Sequence, residues 1–484
     1  MPSKKRIMLI TYPDSLGSNL KELNIILNKY FKKVFGSVHI LPFYPSSADR
    51  GFSPINYDEV DANFGTWNDI KKISNNFNLM FDFMVNHISR QSVYYKDFAA
   101  KKNDSDYAEM FIQYNKFWSN KNPSNDELAL IYKRKPRPPY IEQSFSDGSN
   151  EKIWCTFDSE QIDLNINSCV TKNFIKKTLA DLSKKDASFI RLDAFAYLVK
   201  KQGTNCFFVE PEIWEILEFA KSISMQYGVE LLPEIHEHYS YQLKLSERGY
   251  WAYDFSLPML VLHALYSGSN QRIINWLEIC PRKQFTTLDT HDGIGIVDVY
   301  DLLSEKEIET TKECLYSKGA NIKKIYSSSS YNNLDIYQIN CTYYSALGNN
   351  DNAYILARAI QFFTPGIPQV YYVGLLCGEN DVELINKTMN GRDINRHSYT
   401  INEVKDNLDR LVVKRLLKLM EFRNNYEAFD GDFKINKSPK KNIISLEWKN
   451  LQYHALLEAD LAVKKFTITY FSVNDKTYKT LDGV

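Results

Sequence analysis

The sequence predicts an α/β protein with a (β/α)8 TIM barrel, two subdomains inserted in barrel loops and a small C-terminal β domain. Three observations lead to this prediction. Strand-like and helix-like segments alternate through the first quarter of the chain, which indicates parallel βαβ units. The alternation is then interrupted twice by stretches much longer than one βα unit. Near the end of the chain, strand-like segments at residues 443–448, 453–457 and 466–471 follow one another without helices between them.

The predicted elements follow the hydrophobic periodicity of the chain. Residues 7–11 and 38–41 are short apolar runs typical of strands, and residues 20–35 between them carry apolar side chains at helical spacing. Residues 67–77 predict a second helix, and residues 79–85 predict a third strand. The remaining barrel strands are predicted at residues 189–194, 231–235, 253–255, 285–289 and 368–372.

The predicted domain bounds follow from the interruptions of this rhythm. Asp82 and Asp193 lie in consecutive predicted strands, yet the chain between them far exceeds the roughly 30 residues of one βα unit. A subdomain must therefore lie between them, and a second long excursion follows the seventh strand. The predicted bounds are 1–434 for the barrel, 88–168 and 293–354 for the two inserted subdomains, and 435–484 for the small β domain.

Composition and charge argue against several classes of function. Lysine plus arginine and aspartate plus glutamate number 59 each, so no net field favours nucleic acid or an anionic membrane. No apolar stretch approaches the ~20 residues that span a bilayer, and the first residues lack a signal-peptide core. Seven cysteines without a C-x-x-C pair indicate reduced thiols. We expect a cytoplasmic monomer or homodimer with no nucleic-acid or membrane partner.

The stretch F-I-R-L-D-A-F-A-Y, residues 189–197, places two charged residues within an apolar run. Arg191 and Asp193 are two positions apart, so a strand would direct both side chains to the same side. Buried charges are costly unless they pair or take part in chemistry. Taken alone, this motif is explained equally well by a structural ion pair and by a catalytic site.

Polar residues at the ends of other predicted strands favour catalysis. Parallel barrels place their sites at the C-terminal ends of the strands, where side chains from separate strands meet. Glycosyl transfer with retention needs a carboxylate nucleophile and a carboxylic acid about 5–5.5 Å apart, which several converging carboxylates can supply. The residues at these strand ends are Asp82, His87, Arg191, Asp193, Glu234, His236, His291 and Asp292.

Four of these segments resemble the signature regions of the α-amylase family, glycoside hydrolase family 13. They read D-F-M-V-N-H at 82–87, R-L-D at 191–193, E-I-H-E-H at 234–238 and T-H-D at 290–292. The segment Q-I-D-L-N at 161–165 is similar to an auxiliary motif of the family. The chain also resembles the sucrose phosphorylase branch at residues 79–91, 285–295, 333–348 and, as G-R-D-I-N-R-H, 391–397. The resemblance covers the chain to about residue 435.

The resemblance implies a role for each residue of the catalytic set. Asp193 is expected to be the nucleophile, Glu234 the general acid and base, and Asp292 the stabiliser of the transition state. Arg191 is expected to orient Asp193 and to keep it ionised. Asp82 is expected to support Arg191 rather than to take part in the reaction.

The resemblance also implies a set of substrate-binding residues. Hydrogen bonds to glucose hydroxyls are expected from His87 and His291, and contacts at the far end of the ring from Asp49 and Arg396. Rings that stack on the substrate are expected from Phe52, Phe157 and Tyr197, with Gln161 lining the subsite. The expected acceptor-site residues are Tyr132, Arg134, His236, Tyr337 and Gln338.

The implied reaction transfers the glucosyl unit of sucrose to inorganic phosphate, giving α-D-glucose 1-phosphate and D-fructose. Sibling activities toward sucrose 6′-phosphate, glucosylglycerol or glucosylglycerate are alternatives, since Tyr337 favours unphosphorylated fructose whereas the basic residues around Arg134 favour an anionic donor. A hydrolase or transglucosidase, or a barrel without catalysis, is a more remote alternative. No cofactor is expected. No metal is expected either, because no aspartate-rich loop accompanies Asn86 and the histidines are scattered over separate strands.

Overall fold

The computed structural model describes residues 6–134, 137–320, 338–472 and 476–483. Eight of its strands are β1 Met8–Thr11, β2 Ser37–Ile40, β3 Asn78–Met84, β4 Ala187–Asp193, β5 Glu230–Pro233, β6 Ala252–Asp254, β7 Gln284–Thr286 and β8 Ile367–Tyr371. These parallel strands form one sheet in the order β6-β7-β8-β1-β2-β3-β4-β5, which is the cyclic order of a (β/α)8 barrel. This confirms the predicted fold class.

The strand β4 illustrates how the sequence produces this sheet. Phe189, Ile190 and Leu192 are fully buried, as expected for a parallel strand covered on both faces. Its register with β3 places Arg191 opposite Asp82 and Asp193 opposite Met84. The predicted strand positions therefore put the charged residues of β4 beside the one charged residue of β3.

The chain divides into two compact units, the 40–235 unit (Ile40–Ile235) and the split unit (Met1–His39 with His236–Val484). The 40–235 unit contains the insertion that follows β3. A cluster of buried aromatic side chains forms around Tyr95, Phe98, Phe111 and Phe145 in this insertion. The α-helices of this unit are Trp67–Ser74, Val93–Lys101, Tyr114–Phe117, Asn125–Leu130, Cys169–Ser183 and Glu212–Ser224, and its further strands are His87–Ser89, Tyr140–Ser144, Asn150–Trp154 and Gln161–Asp163.

The split unit carries the remaining helices. The helix predicted over 20–35 is α-helical only over Leu20–Ile26 and continues as a π-helix over Leu27–Phe31. Ile294–Gly295 pairs with Gln338–Ile339 as a short antiparallel ladder. The other α-helices of this unit are Ser240–Glu247, Leu257–Ser267, Gln271–Ile279, Glu305–Ser317, Tyr343–Ala346, Asp351–Phe363, Tyr372–Leu375, Val382–Thr388, Ile401–Leu408 and Leu411–Asn425. Among the helices of the described residues, none has the length and apolar character that crossing a membrane requires.

The last part of the described chain forms a five-stranded antiparallel sheet. Its strands are β9 Asp432–Ile435, β10 Ile443–Asn450, β11 Tyr453–Asp460, β12 Lys465–Ser472 and β13 Thr477–Asp482. The sequence predicted the three inner strands but not β9 and β13. Neither of these two edge strands has a fully buried side chain, so both lack the apolar runs by which the inner strands are recognised.

Candidate active site

One guanidinium joins three carboxylates at the end of β4. Arg191 Nη1 donates to Asp82 Oδ1 at 2.6 Å and to Asp193 Oδ1 at 3.0 Å. Its Nη2 lies 2.8 Å from Glu234 Oε1. The side chains of Arg191 and Asp82 are 3% and 0% exposed, whereas Asp193 and Glu234 retain 13% and 11%. The expected orientation of Arg191 and Asp193 to the same side is thus found in the structure.

The turn after Asp193 positions the second oxygen of Glu234. Ala194 has left-handed backbone angles, φ 52° and ψ 30°, which are uncommon for a residue with a Cβ atom. In this conformation the Ala194 N–H donates to Glu234 Oε2 at 3.0 Å. Both oxygens of Glu234 therefore have a donor, and its carboxylate lies beside Asp193 against the same arginine.

Phe52, His87 and Gln161 form a buried group in the same unit. His87 Nε2 lies 2.9 Å from the carbonyl oxygen of Phe52, and Gln161 Nε2 donates to that oxygen at 2.9 Å. Burial lowers the pKa of His87, so the imidazole is neutral at pH 7. The ring of Phe157 lies 5.5 Å from His87 and 5.0 Å from Tyr197, centroid to centroid. The structure therefore brings together five predicted substrate-binding residues.

Arg134 lies between aromatic rings. Its Nε donates to the Tyr197 hydroxyl. Its guanidinium carbon is 5.1 Å from the ring centre of Tyr132 and 5.7 Å from that of Tyr197. Stacking on aromatic faces orients a guanidinium, and a guanidinium is suited to binding an oxyanion. Asp49, also predicted to contact sugar, lies in a tight turn with left-handed φ of 50°.

His291 and Asp292 lie in the split unit with support from the segment that carries Arg396. Asp292 Oδ2 is 3.6 Å from His291 Nε2, and Asp292 Oδ1 is 3.4 Å from Arg392 Nη1. Asn395 Nδ2 donates to the main-chain oxygen of Asp292 at 3.2 Å. Arg396 is buried and donates from Nε and Nη2 to the oxygen of His291. The G-R-D-I-N-R-H segment thus fixes the T-H-D segment through its main chain and through one side-chain ion pair.

The predicted acceptor residues of this unit are His236, Gln338 and Tyr337. His236 stacks on Phe255 with ring centroids 3.6 Å apart and an interplanar angle of 14°. Gln338 Oε1 accepts from the N–H of Gly293 at 3.4 Å. Tyr337 lies outside the described residues.

Known proteins with related sequences identify the family. The Alpha-amylase family model (Alpha amylase, catalytic domain) matches residues 11–243. A sucrose phosphorylase from Streptococcus mutans is 52% identical over 99% of this chain and 99% of its own. The chain belongs to the sucrose phosphorylase branch of the α-amylase family.

Two further relatives lie within the same branch. A sucrose 6(F)-phosphate phosphorylase from Thermoanaerobacterium thermosaccharolyticum is 48% identical over 99% of this chain and 100% of its own. The crystal structure of a sucrose 6F-phosphate phosphorylase from Thermoanaerobacter thermosaccharolyticum superposes with a TM-score of 0.95 and 47% identity, covering 100% and 98% of the two chains. The chain is a disaccharide phosphorylase of glycosyltransferase type, and the branch includes enzymes named for different donors.

Sequence reasoning missed an ion pair beside the residues that are predicted to bind sugar, His87, Gln161 and Tyr197. Lys200 Nζ lies 2.5 Å from Asp163 Oδ2, donates to Asn86 Oδ1 at 2.7 Å and also donates to the oxygen of Tyr197. Asp163 is fully buried and accepts from the N–H and hydroxyl of Thr156. Asp163 belongs to the Q-I-D-L-N motif, so the motif carried a signal, but nothing in the sequence indicated its lysine partner.

Two other residues near predicted site residues were also missed. Arg137 Nη2 donates to the oxygen of Phe157 at 2.6 Å and thereby fixes the main chain that carries this ring. Asp298 is fully buried, and its Oδ2 lies 3.7 Å from His236 Nδ1. Asp298 follows the T-H-D motif closely, but its spacing alone does not show which side chain it meets.

Proposed function

We propose that this phosphorylase transfers the glucosyl unit of sucrose to inorganic phosphate by two displacements with net retention. The observation that carries the proposal is the single guanidinium of Arg191 in contact with both Asp193 and Glu234. The 52% identity to the Streptococcus mutans sucrose phosphorylase supports sucrose as the donor. Asp292 is proposed to stabilise the oxocarbenium-like transition state from its position beside Arg392.

In the first displacement, an Asp193 oxygen bonds to C1 of the glucosyl unit while the C1–O bond to fructose breaks. Glu234 gives its proton to the departing fructose oxygen, so the negative charge passes from Asp193 to Glu234. Because Arg191 contacts both carboxyl groups, the charge stays beside one cation throughout. The product is a glucosyl ester on Asp193 with inverted configuration at C1.

In the second displacement, a phosphate oxygen bonds to C1 and the ester bond to Asp193 breaks. The proton of the attacking phosphate passes to Glu234, which restores the starting state of both carboxyl groups. Two inversions give α-D-glucose 1-phosphate. Arg134 is proposed to bind the phosphate, because its stacked guanidinium has N–H groups suited to an oxyanion.

The residues proposed to bind the glucosyl unit and the acceptor are divided between the 40–235 unit and the split unit. In the 40–235 unit, Asp49, Phe52, His87, Phe157, Gln161 and Tyr197 are proposed to bind the glucosyl unit, and Tyr132 the acceptor. In the split unit, His291 and Arg396 are proposed to bind the glucosyl unit, and His236, Tyr337 and Gln338 the acceptor. No metal or organic cofactor has a part in the proposed steps. The seven free cysteines support a reducing, cytoplasmic location.

A sucrose 6′-phosphate phosphorylase is the second candidate. The TM-score of 0.95 to the sucrose 6F-phosphate phosphorylase structure and the cationic Arg134 favour this candidate. A donor panel with and without inorganic phosphate separates the two candidates. Sucrose, sucrose 6′-phosphate, glucosylglycerol and glucosylglycerate are compared by release of glucose 1-phosphate. We expect the highest kcat/KM with sucrose, and a clear preference for sucrose 6′-phosphate would replace the first candidate with the second.

A further inference from the structure

We propose that Asp298 is a positioning residue that acts through His236 and makes the acceptor subsite favour phosphate over water. The inference rests on the proposed function, in which His236 contacts the acceptor. None of the roles assigned above involves Asp298, although it is fully buried and carries an ionisable group. A buried carboxylate is costly unless it serves a neighbour, so its surroundings indicate what it does.

The geometry restricts His236 on two sides. Its ring lies flat on Phe255, and its Nδ1 edge faces Asp298 Oδ2 at 3.7 Å. This separation is longer than a hydrogen bond, but the negative charge of a carboxylate beside one ring nitrogen of a histidine favours the proton on that nitrogen. Asp298 therefore favours the Nδ1–H tautomer. His236 Nε2 then accepts the hydrogen bond of a protonated acceptor oxygen.

The same oxygen of Asp298 also lies beside Gly295, the strand neighbour of Gln338. Gly295 pairs with Gln338 in the short antiparallel ladder. A methyl group added at Gly295 would lie 2.0 Å from Asp298 Oδ2, so the carboxylate occupies the space beside this glycine. Ser256 Oγ donates to the main-chain oxygen of Asp298 at 2.7 Å and fixes the residue. Asp298 thus lies beside His236 and beside the strand neighbour of Gln338.

A second buried carboxyl group, Asp254, lies nearby but is used differently. It accepts from Trp276 Nε1 at 3.1 Å and from the N–H of Leu257 at 3.0 Å. Burial, together with the charge of Asp298, raises the pKa of Asp254 to about 7. Asp254 therefore stabilises the main chain at the end of β6, while Asp298 is the carboxylate that faces His236.

Phosphate and water place different demands on this arrangement. Water attacks the glucosyl ester with Glu234 as base. Because a water molecule is small, it needs no further protein group to orient it. Phosphate is larger, and its P–OH group needs a fixed acceptor so that the attacking oxygen faces C1. A misoriented His236 therefore impairs phosphorolysis and leaves hydrolysis nearly unchanged.

The test compares Asp298→Asn with a matched control at Asp301, which lies beside another histidine, His238. Asp301 Oδ2 lies 3.2 Å from His238 Nε2, and the Asp301 side chain is 83% exposed, so Asp301→Asn removes a similar charge at the surface. We expect Asp298→Asn to lower kcat/KM for phosphate by about tenfold, in the range found when a residue that orients a functional histidine is lost. Hydrolysis of the donor without phosphate should change less than about twofold. Asp301→Asn should change neither.

A double-mutant cycle with His236→Asn tests whether Asp298 acts through His236. In the His236→Asn background, Asp298→Asn should change kcat/KM for phosphate by less than about twofold. Equal losses of phosphorolysis and hydrolysis in Asp298→Asn, or an undiminished loss in the His236→Asn background, would overturn the inference. If Asp298→Asn does not fold, Gly295→Ala displaces the same oxygen and is expected to show the same selective loss.

The tautomer of His236 provides a test that does not depend on activity. Nitrogen-15 spectra of the histidine-labelled protein, with His236→Asn to assign the signal, should show the Nδ1–H tautomer in the wild-type protein. An Nε2–H tautomer would contradict the inference even if the donor panel supports the proposed function. Conversely, a protein that releases no glucose 1-phosphate from any donor but shows the Nδ1–H tautomer would refute only the proposed function.

Discussion

The substitution Lys200→Met tests the buried ion pair with Asp163 that lies beside the residues proposed to bind the glucosyl unit. Methionine nearly keeps the length of the lysine stem and removes the charge. Asp163 then stays fully buried without its ammonium partner 2.5 Å away. Asn86, which precedes His87, and the main chain of Tyr197 lose a donor in the same step. The variant should therefore lose both stability and affinity for the donor.

The size of the loss follows from the geometry. Two unit charges 2.5 Å apart attract by about 7 kcal/mol at an effective dielectric constant of ~20, and desolvation offsets much of this energy. Removing one partner of a buried pair typically costs about 3–5 kcal/mol. Asp163 keeps two donors from Thr156, so we expect the lower end, about 3 kcal/mol. Because the eight barrel strands form one sheet, we expect the 484-residue chain to unfold as a whole, with an entropy of about 1 kcal/mol/K, so the loss corresponds to a decrease in Tm of about 3 °C.

The assay is thermal unfolding followed by circular dichroism, together with kcat/KM for the donor. The matched control is Lys201→Met, because Lys201 is 52% exposed and pairs with Glu212 at the surface. This control should cost less than about 1 kcal/mol. The double variant Lys200→Met/Asp163→Asn should recover most of the stability, since it leaves no unpaired buried charge. A decrease in Tm for Lys200→Met no larger than that of the control would refute this reasoning.

Three further predictions concern catalysis and pH. Glu234→Gln should retain glucosylation by glucosyl fluoride, whose leaving group needs no proton, yet stall with sucrose; equal loss with both donors in stopped-flow assays would reject the acid role. Arg134→Ala should raise the KM for phosphate at least tenfold, or shift turnover to hydrolysis, and unchanged phosphate kinetics would exclude it from the anion site. Folding raises the pKa of Asp254 from 3.8 to about 7, so the protonated carboxyl group is favoured in the folded protein. Its contribution to stability is therefore complete below pH ~4 and is lost as the pH rises to about 7. Relative to wild type, Asp254→Asn should gain up to about 1.4 kcal/mol per pH unit over this window, and parallel curves of Tm against pH would contradict this.

The sequence was sufficient to predict the barrel and its principal charged residues. The alternation of apolar runs gave the eight strands because each is buried on both faces, and the two-residue spacing of Arg191 and Asp193 gave their shared orientation. Motifs located the carboxylates because they lie at strand ends. The edge strands β9 and β13 were missed because their side chains are exposed or half-buried, as the side chains of loops are.

The supporting residues could not be predicted, for a different reason. Lys200, Arg137 and Asp298 each act on a partner that is distant in sequence or set by a turn, so no local period identifies the pair. Ala194 adopts a left-handed conformation that its side chain does not favour, and this turn supplies a donor to Glu234. Such contacts depend on the folded arrangement of loops rather than on the pattern of a single segment.

The glucosyl ester on Asp193 is the central claim, and trapping it is the most direct test. Glu234→Gln is incubated with glucosyl fluoride without phosphate, so that the ester forms but lacks the base for its breakdown. Peptide mass spectrometry should then find one glucosyl residue on the peptide that contains Asp193, and added phosphate should release α-D-glucose 1-phosphate slowly. A glucosyl residue on the peptide of Asp292, or a β-configured product without any labelled peptide, would contradict the account.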